Sequence, residues 1–254
     1  MSDLSAFSLA GKRILVTGAN TGIGQGIAVS VARAGGAVIG VGRSSMDDTA
    51  SKVAVVGGQF EAVSADLADT ASAGPMLDRV WDESGPLDGL VNNAGIIRRS
   101  DAVDLSETDW DDVMDVNLKT VFLLSQSFAR RALAGGRQGK IVNIASVLSF
   151  QGGIRVASYT ASKHGVLGIT RLLACEWAAK GINVNAIAPG YIETNNTQAL
   201  RADPDRSAAI LARIPAGRWG EAGDIGDAAV FLLAPASNYM HGAVVPVDGG
   251  WLAR

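Results

Sequence analysis

Short runs of β-branched and aliphatic residues alternate along the chain with longer stretches whose apolar positions recur every three to four residues. Arg13–Thr17, Ala37–Val41, Phe60–Val63, Gly89–Val91, Lys140–Ile144, Asn183–Ile187 and Ala243–Val247 read as strands. Between them, Gly22–Ala34, Asp109–Ala134 and Ser158–Lys180 carry helical spacing. Strands that are apolar at nearly every position are buried on both faces, and the intervening helices supply the cover. The pattern predicts an α/β fold: a Rossmann-type doubly wound parallel sheet of about seven strands, in one domain over residues 1–254. Ligands of such sheets bind outside the carboxyl ends of the strands, so the loops there are where chemistry is expected. Gly190–Trp219 breaks the alternation, being polar and rich in Asn, Asp and Pro. A loop of that length inside a compact domain is usually functional, and residues 190–219 are expected to form a lid over the site.

Composition narrows the possible partners. Of 254 residues 48% are hydrophobic and 19% charged, enough apolar surface for a large core. A net charge of −3 offers no basic field for nucleic acid or an anionic membrane. No apolar run approaches the roughly 20 residues that cross a bilayer, and Met1–Ala10 shows no basic start followed by an apolar stretch. A cytoplasmic protein without a membrane partner is expected. Cys175 stands alone, which excludes an internal disulfide, and reads as a small core residue. His164 and His241 have no companions at ligand spacing, so no metal site is expected.

The first strand runs into Thr17-Gly18-Ala19-Asn20-Thr21-Gly22-Ile23-Gly24. Glycines after a strand let the backbone turn tightly against a pyrophosphate, and the helix that follows offers unpaired N–H groups. The spacing differs from the common G-x-G-x-x-G, and the placement after the first strand is what makes it a dinucleotide signal. The end of the second strand reads Val41-Gly42-Arg43-Ser44, without the acid that binds the ribose of NAD. Arg43 either meets the 2′-phosphate of NADP or is a solvated loop arginine. Asp66-Leu67 follows the third strand, with Asp66 either bonding adenine or capping a helix. Asn93, Ala94 and Gly95 end the fourth strand, where small residues let the backbone lie against the cofactor.

Tyr159 and Lys163 are four residues apart in a helical stretch and share one face. A tyrosine is a poor base at neutral pH, and a neighbouring ammonium would stabilise its phenolate and lower its pKa. Ser146, after the fifth strand, is placed to bond the substrate oxygen, and Asn117 to hold a water that links Lys163 to solvent.

This set, together with Pro189-Gly190, resembles the short-chain dehydrogenase/reductase family along the whole chain. The resemblance implies an Asn–Ser–Tyr–Lys tetrad at Asn117, Ser146, Tyr159 and Lys163, a nicotinamide cofactor and commonly a homotetramer. It also implies that Lys163 and Tyr159 touch the nicotinamide ribose, and that Pro189, Gly190, Ile192 and Thr194 line its carboxamide end. For the substrate, Arg98 and Arg99 follow the fourth strand, Gln151 and Arg155 the fifth, and Asn195–Gln198 open the lid. Guanidinium forks suit a carboxylate and amides suit hydroxyls, so a polyhydroxy acid is expected, held by Arg99, Ser146, Gln151, Arg155, Tyr159 and Asn195. Solvated arginines, or arginines paired to Asp101, Asp104 or Asp203, are the plainer reading of the same residues. The stretches Asn93–Arg99, Phe150–Val156, Tyr191–Gln198, Ile214–Gly220 and Val247–Arg254 resemble the branch of the family that holds 2-deoxy-D-gluconate 3-dehydrogenases, also described as 2-keto-3-deoxy-D-gluconate 5-dehydrogenases. That resemblance implies NAD, with NADP as the alternative. Rival readings are an NADPH-dependent 3-oxoacyl reductase, a gluconate 5-dehydrogenase, and a dinucleotide-sensing protein without activity.

Overall fold

A computed structural model describes residues 4–254. Its centre is a sheet of seven parallel strands: β1 (Arg13–Thr17), β2 (Ala37–Gly42), β3 (Phe60–Ser64), β4 (Gly89–Asn92), β5 (Gly139–Ile144), β6 (Ile182–Pro189) and β7 (Val244–Val247). Their spatial order is β3-β2-β1-β4-β5-β6-β7. The chain winds outward from β1 to β3, then returns to place β4 on the other side of β1. That reversal opens a crevice at the carboxyl ends of β1 and β4, where a ligand of such a sheet belongs.

Alternating side chains on β1 divide the core. Ile14 and Val16 pack under α1 (Gly22–Arg33) and α9 (Ala222–Leu233). Leu15 faces the other way, with Ile39 and Val41, against α3 (Thr70–Glu83), α5 (Thr120–Ala134) and α6 (Ala157–Trp177). Both faces are thus covered, as the apolar strands require.

The strand expectations agree with the sheet to within a residue or two at each end. The helices diverge more. The continuous pattern over Asp109–Ala134 is broken into α4 (Glu107–Met114), a π-helical turn at Asp115–Lys119, and α5. Ser106 caps α4 by accepting from Asp109 N at 3.1 Å, with Glu107 and Asp109 in the first turn where the helix dipole favours acids. Three helices lie outside the expected set: α2 (Asp47–Val55) packs Val53 on the α1 and α9 face, α3 packs on the opposite face, and α9 is the third. The 190–219 segment is less irregular than its polarity implies, since it contains α7 (Gln198–Ala202) and α8 (Pro204–Leu211). Pro204 occupies the first turn of α8, and Asp203 caps it by accepting from Arg206 N at 3.1 Å. Cys175 is exposed on α6, contrary to its core assignment, because its position faces away from the sheet. No helix among the described residues is long and apolar enough to cross a membrane.

Candidate active site

A cavity of about 1110 Å³ opens at the crevice. Its nucleotide-facing wall begins at the turn after β1, where Gly18 has φ +65° and Gly22 φ +57°. The N-terminus of α1 has Thr21 as its capping residue but no side-chain cap, so its backbone N–H groups stay available to an anion. Gly18, Asn20, Thr21, Gly22 and Ile23 all line the cavity. Gly24 does not. It lies beneath the turn, where a Cβ would stand 2.1 Å from the carbonyl oxygen of Gly18, so its role is to let helix and turn close together.

The β4 exit is tied to this turn. Thr17 Oγ1 accepts from Asn93 N at 2.9 Å and Ala94 N at 3.0 Å, and the Asn93 amide donates back to Thr17 O at 2.9 Å. These bonds hold Asn93, Ala94 and Gly95 on the cavity wall. Thr17 was absent from the expected site; its hydroxyl at a strand end beside the glycines was the signal available.

At the far end of β2, Arg43 and Ser44 line the cavity with Asp66 and Leu67. Arg43 is extended and exposed, 3.5 Å from Asp66. Asp66 bonds its own turn at Ala68 N, 3.0 Å, while the cap of α3 is Asp69, so the helix-cap reading of Asp66 gives way to a turn residue beside Arg43. Among the described residues, the end of β2 puts Arg43 and Ser44 on the cavity wall and no acid of its own.

Tyr159 and Lys163 occupy the first turns of α6, on the face toward the cavity. The Lys163 side chain is 5% exposed, and its ammonium donates to Ile144 O, at the end of β5, over 2.7 Å. It sits 5.6 Å from the centre of the Tyr159 ring. Ser146 begins a short turn, accepting from Leu148 N at 3.1 Å. Ser149 completes the link: it accepts from Ser146 N at 3.2 Å and donates to Lys163 O at 2.7 Å. The end of β5 is thereby locked to α6, and the three polar groups share one wall.

Burial raises the pKa of Tyr159, while a hydrogen bond with Ser146 and the charge of Arg99 pull it down. Burial also lowers Lys163 to about 8. The expectation that the ammonium would dominate the phenol is therefore corrected: desolvation of the phenolate is the larger effect, opposed by Ser146 and Arg99.

Asn117 is fully buried in the π-helical turn and does not reach the cavity. Its oxygen accepts from Ile96 N at 2.8 Å and its amide donates to Ile96 O at 2.9 Å and Ser162 Oγ at 3.3 Å. Both N–H groups are committed, so the amide has none left to donate to a water as the sequence had led one to expect. It clamps the Gly95–Ile96 backbone instead.

On the substrate side, Arg99, Gln151 and Asn195 line the cavity, as do Pro189, Gly190, Ile192 and Thr194. Arg155 does not. Its backbone is left-handed, φ +64°, and its guanidinium turns outward to Asp101 at 3.3 Å, both side chains more than half exposed. The carboxylate-grip role expected of Arg155 is withdrawn on that geometry. Two arginines that sequence reading passed over, Arg206 and Arg213, line the cavity from the 190–219 segment, with Tyr191 and Trp251. The only signal for these two arginines was their position in the 190–219 segment. No cluster of three or more potential metal ligands occurs among the described residues.

The glycine turn with an uncapped helix end, and a Tyr–Lys pair with a serine on one wall of the same cavity, define a nicotinamide-dependent oxidoreductase site. A family model described as enoyl-(acyl carrier protein) reductase matches residues 18–252, and the chain belongs to the short-chain dehydrogenase/reductase family. It is 57% identical over 251 residues to the 2-dehydro-3-deoxy-D-gluconate 5-dehydrogenase of Dickeya dadantii, covering 99% of each chain. A crystal structure of a protein from Agrobacterium tumefaciens, described as a 2-deoxy-D-gluconate 3-dehydrogenase with bound NADP, superposes with a TM-score of 0.94 at 62% identity, over 98% of this chain and 99% of that one. A gluconate 5-dehydrogenase of Burkholderia cenocepacia, solved with NADP and tartrate, superposes with a TM-score of 0.93 at 36% identity over the full length of both.

Proposed function

We propose that the protein transfers a hydride between NAD(P)(H) and a secondary alcohol or ketone of a deoxy-sugar acid such as 2-keto-3-deoxy-D-gluconate or 2-deoxy-D-gluconate. One observation carries the reading: the cavity that holds Tyr159, Lys163 and Ser146 also holds arginines, Arg99, Arg206 and Arg213, with no carboxylate partner among the described residues. An acyl-chain substrate has no use for such groups, and a nucleotide sensor has none for the Tyr–Lys pair. The similarity to sugar-acid dehydrogenases supports the same choice.

The glycine turn and the α1 N-terminus suit the pyrophosphate, Lys163 the nicotinamide ribose, and Thr194 the carboxamide. The bound nicotinamide supplies or accepts the hydride. Tyr159 gives a proton to the carbonyl oxygen in reduction and takes it back in oxidation, with Ser146 donating to the same oxygen and fixing its place. Asn117 positions the Gly95–Ile96 wall. Arg43 and Ser44 suit a 2′-phosphate, which favours NADP over the NAD implied by the sequence resemblance.

A cytoplasmic homotetramer goes with this reading. Trp110 and Leu172 leave apolar surface exposed on α4 and α6, which a second copy would cover; size-exclusion chromatography with light scattering tests it, and a monomer at all concentrations would refute it.

The experiment is absorbance of the reduced nicotinamide with purified protein, NAD or NADP, and 2-keto-3-deoxy-D-gluconate, 2-deoxy-D-gluconate or gluconate. Turnover of a deoxy acid well above that of gluconate is expected. Activity confined to an acyl ketone with NADPH would overturn the substrate class, and activity confined to gluconate would move it to the gluconate 5-dehydrogenases.

A further inference from the structure

We propose that the substrate carboxylate is bound by Arg213, with Arg206 beside it, on a platform made by Trp251. The inference rests on the sugar-acid reading above and assigns the acid end of that substrate to residues of the lid and the carboxyl terminus.

The cavity has five arginines on its wall, Arg43, Arg98, Arg99, Arg206 and Arg213. Arg43 stands at the end of β2, where it is assigned above to the nucleotide, and Arg98 is shared between Asp109 at 3.2 Å and Asp112 at 3.0 Å. A guanidinium already bonded to a carboxylate has little to offer another. Arg99 donates to the carbonyl of Asn196 at 3.1 Å. Among the described residues, Arg206 and Arg213 alone of the five have neither an acid partner nor a side-chain hydrogen bond.

Arg213 is also held in place. Its guanidinium carbon lies 4.0 Å from the centre of the Trp251 ring. Trp251 is 3% exposed and packs against Tyr191, ring centres 4.6 Å apart. Stacking on an indole fixes the plane of the guanidinium while its N–H edge stays free, the geometry that receives a carboxylate through two parallel bonds. Holding the fork in advance reduces the ordering cost of binding.

Arg99 and the pair Arg206 and Arg213 act on different tyrosines. Arg99 is felt by Tyr159, whereas Arg213 and Arg206 are felt by Tyr191.

The test takes whichever of 2-deoxy-D-gluconate and 2-keto-3-deoxy-D-gluconate the wild type turns over faster and compares it with its neutral amide, in the wild type and in Arg213→Gln, Arg213→Lys and Arg155→Gln. In Arg213→Gln the ratio of kcat/KM on the acid to that on the amide should fall at least about 30-fold, through KM, because a charge-assisted pair is lost. Arg213→Lys should recover part of it, and Arg155→Gln should leave it unchanged because that side chain points to Asp101 outside the cavity. A wild type that turns over neither acid overturns the substrate class and this inference with it. A wild type active on the acid whose ratio is unaltered by Arg213→Gln, or equally altered by Arg155→Gln, overturns the inference alone. Nucleotide titration of each variant checks that the fold is retained.

Discussion

Replacing Lys163 with methionine should make the protein more stable at neutral pH while removing its activity. The ammonium is 5% exposed, has the carbonyl of Ile144 as its hydrogen-bond acceptor at 2.7 Å, and is lowered by burial from 10.5 to about 8. The difference between those two values corresponds to roughly 3 kcal/mol held against the fold when the group is charged. Between pH 8 and 10.5 the unfolded chain binds more protons at this position than the folded one, so stability rises with pH across that window. Below pH 8 both states are protonated and the penalty is complete. At pH 10 only about 1 kcal/mol of it remains. Methionine keeps most of the stem, loses the charge, and gives up the bond to Ile144, a loss of about 1–2 kcal/mol. The variant should therefore gain about 1–2 kcal/mol at pH 7 and lose up to about 1 kcal/mol at pH 10. Guanidinium unfolding of the nucleotide-free proteins at both pH values, at equal protein concentration, measures this. A variant destabilised by the same amount at pH 7 and pH 10 would refute the account.

Three further predictions follow the same site outward. Tyr159→Phe should lower turnover by about 10²–10⁴-fold while nucleotide affinity is kept; near-normal turnover would remove the phenol from the proton path. Thr17→Val leaves the amides of Asn93 and Ala94 without their acceptor, so unfolding should show a loss of about 2–3 kcal/mol and nucleotide titration a weaker complex. Arg43→Ala should weaken NADP by about tenfold and spare NAD, measured by quenching of tryptophan fluorescence; equal loss for both would place Arg43 outside the 2′-phosphate site.

The centre of the sheet was legible because β1, β2 and β4 are apolar and buried at nearly every position, whereas β3 at the edge exposes Glu61, Ala62 and Ser64. The helices that escaped notice each carry a contrary local signal. α2 buries only Thr49 and Val53 among its polar residues, and α3 contains Gly74-Pro75, which reads as a turn. In α9, Gly226 weakens helical propensity for a packing reason, since a Cβ there would stand 2.4 Å from Ser30 Oγ on α1. The π-helical turn had no visible mark in the sequence. Asn117 was conspicuous as a polar residue in an apolar stretch, but its service to Ile96 depends on a backbone 21 residues away.

Spacing alone puts Tyr159 and Lys163 on one helical face, and the sequence goes that far. The direction of their pKa shifts depends on depth, which spacing does not encode. Burial moves both groups toward their neutral forms, the phenol upward and the ammonium downward. What pulls the phenol back is Ser146, from the end of β5, and Arg99, from the loop after β4, two elements joined only in the folded sheet. The same holds for the arginines. The sequence pointed to Arg155 and passed over Arg213, whereas in the fold Asp101 occupies the first and the ring of Trp251 lies under the second. Arg99 acts on the phenol of Tyr159, and Arg213 on Tyr191 from the 190–219 segment. Neither relation is carried by the tetrad or the glycine turn, because each joins residues that only the folded chain brings together.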